Sequence, residues 1–296
     1  MHRKFWNSLC LSFIIKPCGP LLVKSGMVSA NPSLPDMQFV RTSTPEGETV
    51  FLPGSSLKGV FRSFTEKVLR TITKDDICDI LDKKENCVKK KQLQEYDNTA
   101  KVYKESCLAC KMYGNTRLRG RIAFTDAFPE GSWKTEIRYG VAISRLTSAV
   151  AVGPFDMEVL VEGNFSGFLV LENFEIWQLA LLGFTIRSLN DGLVRIGFGK
   201  SRGFGEVHCE ITEAVFTMAR RDISKDKLWG VGAFASAEER EAYGLREDDL
   251  LSGVPEGNRE DFGVYTRVVY RPEEWKDLLK IATQVATRFL HLEGSS

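Results

Sequence analysis

Histidine is scarce: His2, His208 and His291 are the 3 in 296 residues. No Ser-His-Asp or Cys-His arrangement can be assembled around them, which removes the common nucleophilic hydrolase patterns. His208 lies within a strand pattern and is expected to be a packed strand residue. Charge imbalance is also lacking, with 40 Lys and Arg against 39 Asp and Glu for a net charge of +1. That excludes a uniformly basic nucleic-acid binder but leaves room for a local basic groove. No apolar run approaches the roughly 20 residues that span a bilayer, so no membrane partner is expected. Arg3 and Lys4 ahead of Leu9–Ile15 imitate a signal peptide, but Lys16-Pro17 interrupts a short core and no small-residue cleavage site follows. The 7 Cys are too unevenly spaced for a secreted disulfide framework, and a cytoplasmic location is expected. Internal repeats and low-complexity tracts are absent.

What is present is a globular composition, 43% hydrophobic with 25 Gly and 10 Pro, of a length suited to one large domain or one domain with insertions. Leu9–Ile15 reads as a first strand. Residues 17–53 hold Pro17, Pro20, Pro32, Pro35 and Pro53 among their prolines, a long connection with little room for helix. A helix is expected from Ser55 to about Arg70, since Leu57, Val60, Phe61, Phe64, Val68 and Leu69 recur at helical spacing. Residues 74–106 form an insertion with 8 Lys and 8 acidic residues and little core of its own. Arg117–Asp126 reads as a strand, 139–152 as an extended loop or hairpin, and Phe155–Val161 and Phe165–Leu171 as two strands. A strongly apolar helix over Phe174–Leu189 and a strand over Val207–Phe216 follow. Strand, helix, strands, helix, strand is the split βαβ order of a ferredoxin-like (RRM-like) α+β fold. Beyond Ala219 the composition shifts, with 9 acidic against 3 basic residues over 238–261, and a last helix is expected from about Pro272 to Leu292. Residues 1–219 therefore read as the domain and 220–296 as a C-terminal extension packed on it or on a neighbouring subunit.

Two stretches suit a phosphate backbone. Leu52-Pro53-Gly54-Ser55-Ser56-Leu57-Lys58-Gly59-Val60-Phe61-Arg62 begins with a turn, and Ser55 or Ser56 can cap the helix that carries Lys58 and Arg62. Gly197-Phe198-Gly199-Lys200-Ser201-Arg202-Gly203-Phe204-Gly205 has four glycines that admit a ligand close to the backbone, with Lys200 and Arg202 between them. It lacks the strand-before, helix-after setting of a dinucleotide-binding turn. Phe204 and Tyr113 are base-stacking candidates that can equally pin their loops to the core. Cys107-x-x-Cys110 has zinc-knuckle spacing, and Cys78 and Cys87 can complete a tetrahedral set of four thiolates; reduced core cysteines are the other reading. Cys10, Cys18 and Cys209 are expected in the core.

The Pro-Gly-Ser-Ser-Leu-Lys-Gly helix start and the Gly-Lys-Ser-Arg-Gly-Phe-Gly loop before the last core strand together resemble the RAMP superfamily. The nearer resemblance is to the backbone (Cas seven-type) subunit of type III CRISPR–Cas effector complexes, over roughly residues 9–216. Leu21–Gly26, including Lys24, sits where that family has a turn after its first strand. Asp36 falls where the family places the aspartate that cleaves target RNA. Ile143-Ser144-Arg145-Leu146-Thr147-Ser148-Ala149 is similar to the family's thumb-hairpin signature, departing from it at Ser144 and Ser148.

The resemblance implies a RAMP domain with a thumb hairpin at about 134–154, a zinc-knuckle insertion at about 72–112, and the C-terminal extension. It implies copies stacked along a guide CRISPR RNA beside other effector subunits, each splaying a base of the guide–target duplex. On this reading Lys24, Ser55, Ser56, Lys58, Arg62, Arg145, Thr147, Lys200 and Arg202 bind RNA, and Cys78, Cys87, Cys107 and Cys110 hold structural Zn2+. Asp36, with Mg2+ or a similar ion, activates the 2′-OH that cuts the complementary target RNA, and Arg41 or Lys24 stabilises charge. Three alternatives stay open: a non-catalytic scaffold, a guide-processing endonuclease, and a zinc-stapled interaction domain unrelated to RNA. The second is weakened because no histidine lies between His2 and His208.

Overall fold

Strand β1 (Asn7–Pro17) buries every second side chain, Leu9, Leu11, Phe13 and Ile15, beneath the helices. Each such side chain contributes roughly 2 kcal/mol of burial, and the alternation fixes which face of the sheet is core. The computed structural model describes residues 3–26, 35–73, 77–219 and 224–289. In it β1 is central, flanked by β5 (Phe165–Glu172) and β6 (Val207–Ala219), with the short β2 (Ile122–Phe124) beyond β5. All pairings are antiparallel. Helices α1 (Gly54–Ile72) and α2 (Ile176–Asn190) supply the apolar cover. The result is a mixed α/β fold on an antiparallel sheet.

Between β2 and β5 a long hairpin pairs β3 (Lys134–Ile143) with β4 (Val150–Glu162). The expected loop over 139–152 and the expected strand over Phe155–Val161 are thus parts of one hairpin. Its root, Met157 to Leu160, is buried against the domain, whereas Tyr139, Ile143, Leu146 and Val150 are exposed at its outer end.

The expected continuous strand over Arg117–Asp126 is broken. Pairing is confined to Leu118–Arg119 and Ile122–Phe124, because the chain bends at Gly120 around the short helix Leu108–Tyr113. A Cβ at Gly120 would lie 2.4 Å from the Tyr113 carbonyl oxygen, so only glycine permits that approach. The insertion also has more core than its charge suggests. Val102, Tyr103, Ala109 and Met112 are buried and continuous with the main core.

Residues beyond Ala219 are woven into the sheet. The edge strand β7 (Asn258–Asp261) pairs with β8 (Tyr265–Tyr270), and β8 pairs with β6. Helix α3 (Pro272–Phe289) packs across α2, which explains why α2 is apolar on nearly all sides. The expected end of this helix at Leu292 lies outside the described residues, as do His2 and His291. The buried Asp249 carboxylate ties the extension to α2, accepting from the backbone N–H groups of Ile176 and Gly232 at 2.9 Å each.

Three smaller expectations fail. Cys209 is buried, but Cys10 is only half-buried and Cys18 is exposed. His208 points to solvent from β6, in register with Lys16 of β1, because it falls on the outward phase of the alternation. Among the described residues no helix is long and apolar enough to cross a membrane.

Candidate functional site

Three backbone segments far apart in sequence run side by side with the hairpin root. The glycine loop meets residues 20–24 through the Phe198 N–H to Leu22 carbonyl bond (2.7 Å) and the Gly205 N–H to Pro20 carbonyl bond (2.9 Å). Gly197 makes this possible: it sits at φ +76°, and a Cβ there would lie 2.2 Å from the Leu22 carbonyl oxygen. Residues 23–25 pair in turn with 38–40, through Val40 N–H to Val23 carbonyl and Ser25 N–H to Gln38 carbonyl, both 2.9 Å. Met37 then brackets the hairpin root, donating to the Asp156 carbonyl (3.1 Å) and accepting from Glu158 N–H (2.8 Å).

Asp36 is exposed at this junction, and its Oδ2 accepts from Asp156 N–H at 3.2 Å. Buried Glu158 fixes the segment from beneath. Its carboxylate accepts from Phe39 N–H (3.0 Å), the Thr135 hydroxyl (2.9 Å) and the Arg41 guanidinium. Arg41 also lies 5.2 Å over the Trp133 ring, so it is committed to anchoring and Lys24 is the exposed cation of the two.

The cations divide into two groups. Among the described residues, no carboxylate lies within ion-pair distance of Lys24, Lys58, Lys67, Arg145, Lys200 or Arg202. Burial and then a like charge hold the Lys58 and Lys200 amines below their ordinary range, the like charge being Arg62 for Lys58 and Lys67 for Lys200. An amine in that state gains from an arriving anion. The Arg202 guanidinium rests 5.2 Å over Phe155 on the hairpin, joining the glycine loop to β4.

Lys67 and Phe155 were not singled out from sequence. Lys67 stands nine residues after Lys58, half a turn out of phase on the helix. Lys200 of the glycine loop therefore senses the Lys67 charge, while Lys58 senses that of Arg62. Arg145 and Thr147 are exposed at the hairpin tip, where the Ser144 hydroxyl accepts from Leu146 and Thr147 N–H at 3.3 Å each.

Ser55 and Ser56 are exposed at the start of α1 but neither caps it. The helix begins at Gly54, whose N–H donates to the Asp126 carboxylate at 2.7 Å, so the cap comes from the turn after β2. Arg62 also departs from expectation. Its side chain is 14% exposed and bonds to the Glu66 carboxylate (2.7 Å), the Gly114 carbonyl (2.8 Å) and Cys110 Sγ (3.5 Å). The stacking candidates are core pins: Phe204 is buried against Gly199, and the buried Tyr113 hydroxyl shares a 2.9 Å bond with the Thr65 hydroxyl.

Cys78, Cys87, Cys107 and Cys110 converge, all buried, with their sulfurs within 4.8 Å of one another. Cys107 ends the turn before Leu108–Tyr113 and Cys110 lies one turn on; Cys87 opens the short helix Cys87–Lys90, capped by the Asn86 side chain. The separations Cys78–Cys110 and Cys78–Cys107 are 3.6 and 3.7 Å. A tetrahedral zinc with Zn–S bonds of about 2.3 Å needs sulfur separations of about 3.8 Å, so the set fits such an ion. Hydrogen bonding among the four sulfurs couples their titration, lowering the Cys107 thiol and raising the other three. A bound cation would stabilise all four as thiolates. The site can hold a metal such as zinc.

A family model for the RAMP superfamily matches residues 14–208, and the chain belongs to that superfamily. No curated protein matches the chain. Members of the superfamily generally work in CRISPR–Cas complexes, with CRISPR RNA and effector subunits as partners.

Proposed function

We propose that this protein is a backbone subunit of an RNA-targeting CRISPR effector complex, gripping guide RNA and cutting the complementary target strand. One observation carries the reading: the glycine loop, the Lys24 and Asp36 segments and the hairpin root form a single hydrogen-bonded run beside cations that have no carboxylate partner among the described residues. Phosphates complete those cations, so binding is sequence-independent and salt-sensitive. The sheet order of last, first, third and second core strand supports a ferredoxin-like domain. The hairpin then serves as the thumb, presenting Arg145, Thr147 and an exposed Leu146 to the guide–target duplex.

Lys24, Lys58, Lys67, Lys200 and Arg202, with the exposed Ser55 and Ser56, form the guide-binding set; Arg62 is left out because its guanidinium is committed inward. Asp36 holds a divalent ion such as Mg2+ or orients the 2′-OH, its exposed carboxylate oxygens matching the oxygen preference of that ion. When bound, such an ion supplies charge stabilisation at the phosphate. The four cysteines form a structural zinc knuckle.

A second reading, the non-catalytic scaffold, is favoured by the bond from Asp156 N–H to Asp36, which gives that carboxylate a structural duty of its own. The two separate on incubating the assembled guide-bound complex with complementary RNA and Mg2+, comparing wild type with Asp36→Ala. Regularly spaced cuts that disappear in the variant, with target binding intact, are expected. Binding without cuts in either protein makes the chain a scaffold, and cuts persisting in the variant exclude Asp36.

A further inference from the structure

Four thiolates around a divalent ion carry a net charge of −2, and here that charge is buried. Buried charge is tolerated only when compensated and hydrogen-bonded. Among the described residues two N–H groups already point at the sulfurs: Cys107 N donates to Cys87 Sγ at 3.3 Å, and an Arg62 guanidinium nitrogen donates to Cys110 Sγ at 3.5 Å. Only the second carries a formal charge. Arg62 belongs to a ladder on one face of α1, where Glu66 pairs with Arg62 at 2.7 Å and with Arg70 at 3.6 Å. Arg70 reaches the same lobe, but through the Cys78 carbonyl at 2.8 Å and no sulfur. The ladder carries a net +1 toward the cluster, and Arg62 is the member that delivers it to a ligand atom.

We propose that Arg62 is a working part of the metal centre: it compensates the buried thiolates, lowers the donor strength and reactivity of Cys110, and fastens the cysteine lobe to α1. This rests on the reading of the four cysteines as a metal site. A thiolate that accepts a charge-assisted hydrogen bond is a weaker nucleophile and gives up electron density less readily. Cys110 is accordingly shielded from oxidants and alkylating agents. Arg62 is a positioning residue acting through Cys110.

The full-length chain, loaded with Co2+ in place of zinc, reports the donor strength of the sulfurs in its sulfur-to-metal charge-transfer band. Arg62→Met is expected to move that band to longer wavelength and to speed metal loss to a chelator by roughly tenfold, as loss of an outer-shell partner does. It is also expected to make Cys110 the first of the four clustered cysteines alkylated by iodoacetamide. Arg70→Met, which loosens the same ladder without touching a sulfur, leaves the band in place. Arg62→Lys keeps the ion pair with Glu66 and secures the fold; its band is expected between those of wild type and Arg62→Met. Bands that coincide in wild type, Arg62→Met and Arg62→Lys, with the alkylation order unchanged, overturn the proposal alone. A wild-type chain that takes up no Co2+ overturns the metal reading with it.

Discussion

Asp249 is a carboxyl placed where its ionised form is costly. Burial first, and the neighbouring Glu175 charge second, push it up to about 8, although two backbone N–H groups work the other way. Unfolded, the same group loses its proton near pH ~3.9. Below that value both states hold the proton and the contribution to stability is complete. Between there and about 8 only the folded state binds it, so stability falls as pH rises, by at most ~1.4 kcal/mol per unit. Thermal melts of the full chain from pH 5 to 8 are expected to show this downward limb, and Asp249→Asn to flatten it. A limb that persists unchanged in the variant assigns it to another group. Glu158 is a second buried carboxylate, with its oxygens filled by Phe39, Thr135 and Arg41. It acts as a fastener under Asp36.

Helix α1 shows what a sequence tells about an element and where it stops. The apolar spacing from Leu57 to Leu69 marks the helix, and Pro53-Gly54 marks its start to within a residue. The cap is not legible, because the side chain that supplies it, Asp126, is 72 residues away, and only the fold brings the two together. Asp126→Ala is therefore expected to cost about 1 kcal/mol, the usual size of a lost N-cap. Ser55→Ala and Ser56→Ala should lie within the error of a urea melt, and equal losses in all three would deny Asp126 its role. Arg62 eludes the sequence for a related reason: periodicity gives a polar face but not what folds over it, and here the insertion does. Four cysteines clustered around a charge-balanced segment are legible as a set, because metal chemistry leaves few choices of ligand. Phe204 and Tyr113 are not decidable, since an aromatic beside a glycine can face either way. The glycine loop is legible as a loop, but its contact with Leu22 depends on a single positive φ at Gly197.

At the scale of the whole molecule, a net charge of +1 conceals a separation. Some surface cations are neutralised in ion pairs, as Lys4 is by Glu239 and Arg240 by Glu247, while Lys24, Lys200 and Arg202 have no carboxylate within ion-pair distance among the described residues. Guide-RNA affinity should therefore depend steeply on salt despite the neutral total. Removing Lys24, Lys200 or Arg202 is expected to lower the slope of log K against log salt by ~0.7 each, the single-strand value. Arg62→Met leaves that slope unchanged if its charge is spent at the cysteines. Filter binding across a salt series checks this, and an equal drop for Arg62→Met would return that residue to the phosphate set.

The last strand of the sheet, Asn258–Asp261, has a further consequence. It is four residues long, wholly polar, and carries Glu260 and Asp261 on an edge that would otherwise accept another strand. The opposite edge is made of two short pieces, the three residues of β2 and Phe128–Pro129, both paired with β5. Short, charged margins discourage one sheet from continuing into the next. On the proposed backbone role, copies held close along one RNA would therefore be kept from zipping their backbones into a cross-β ribbon.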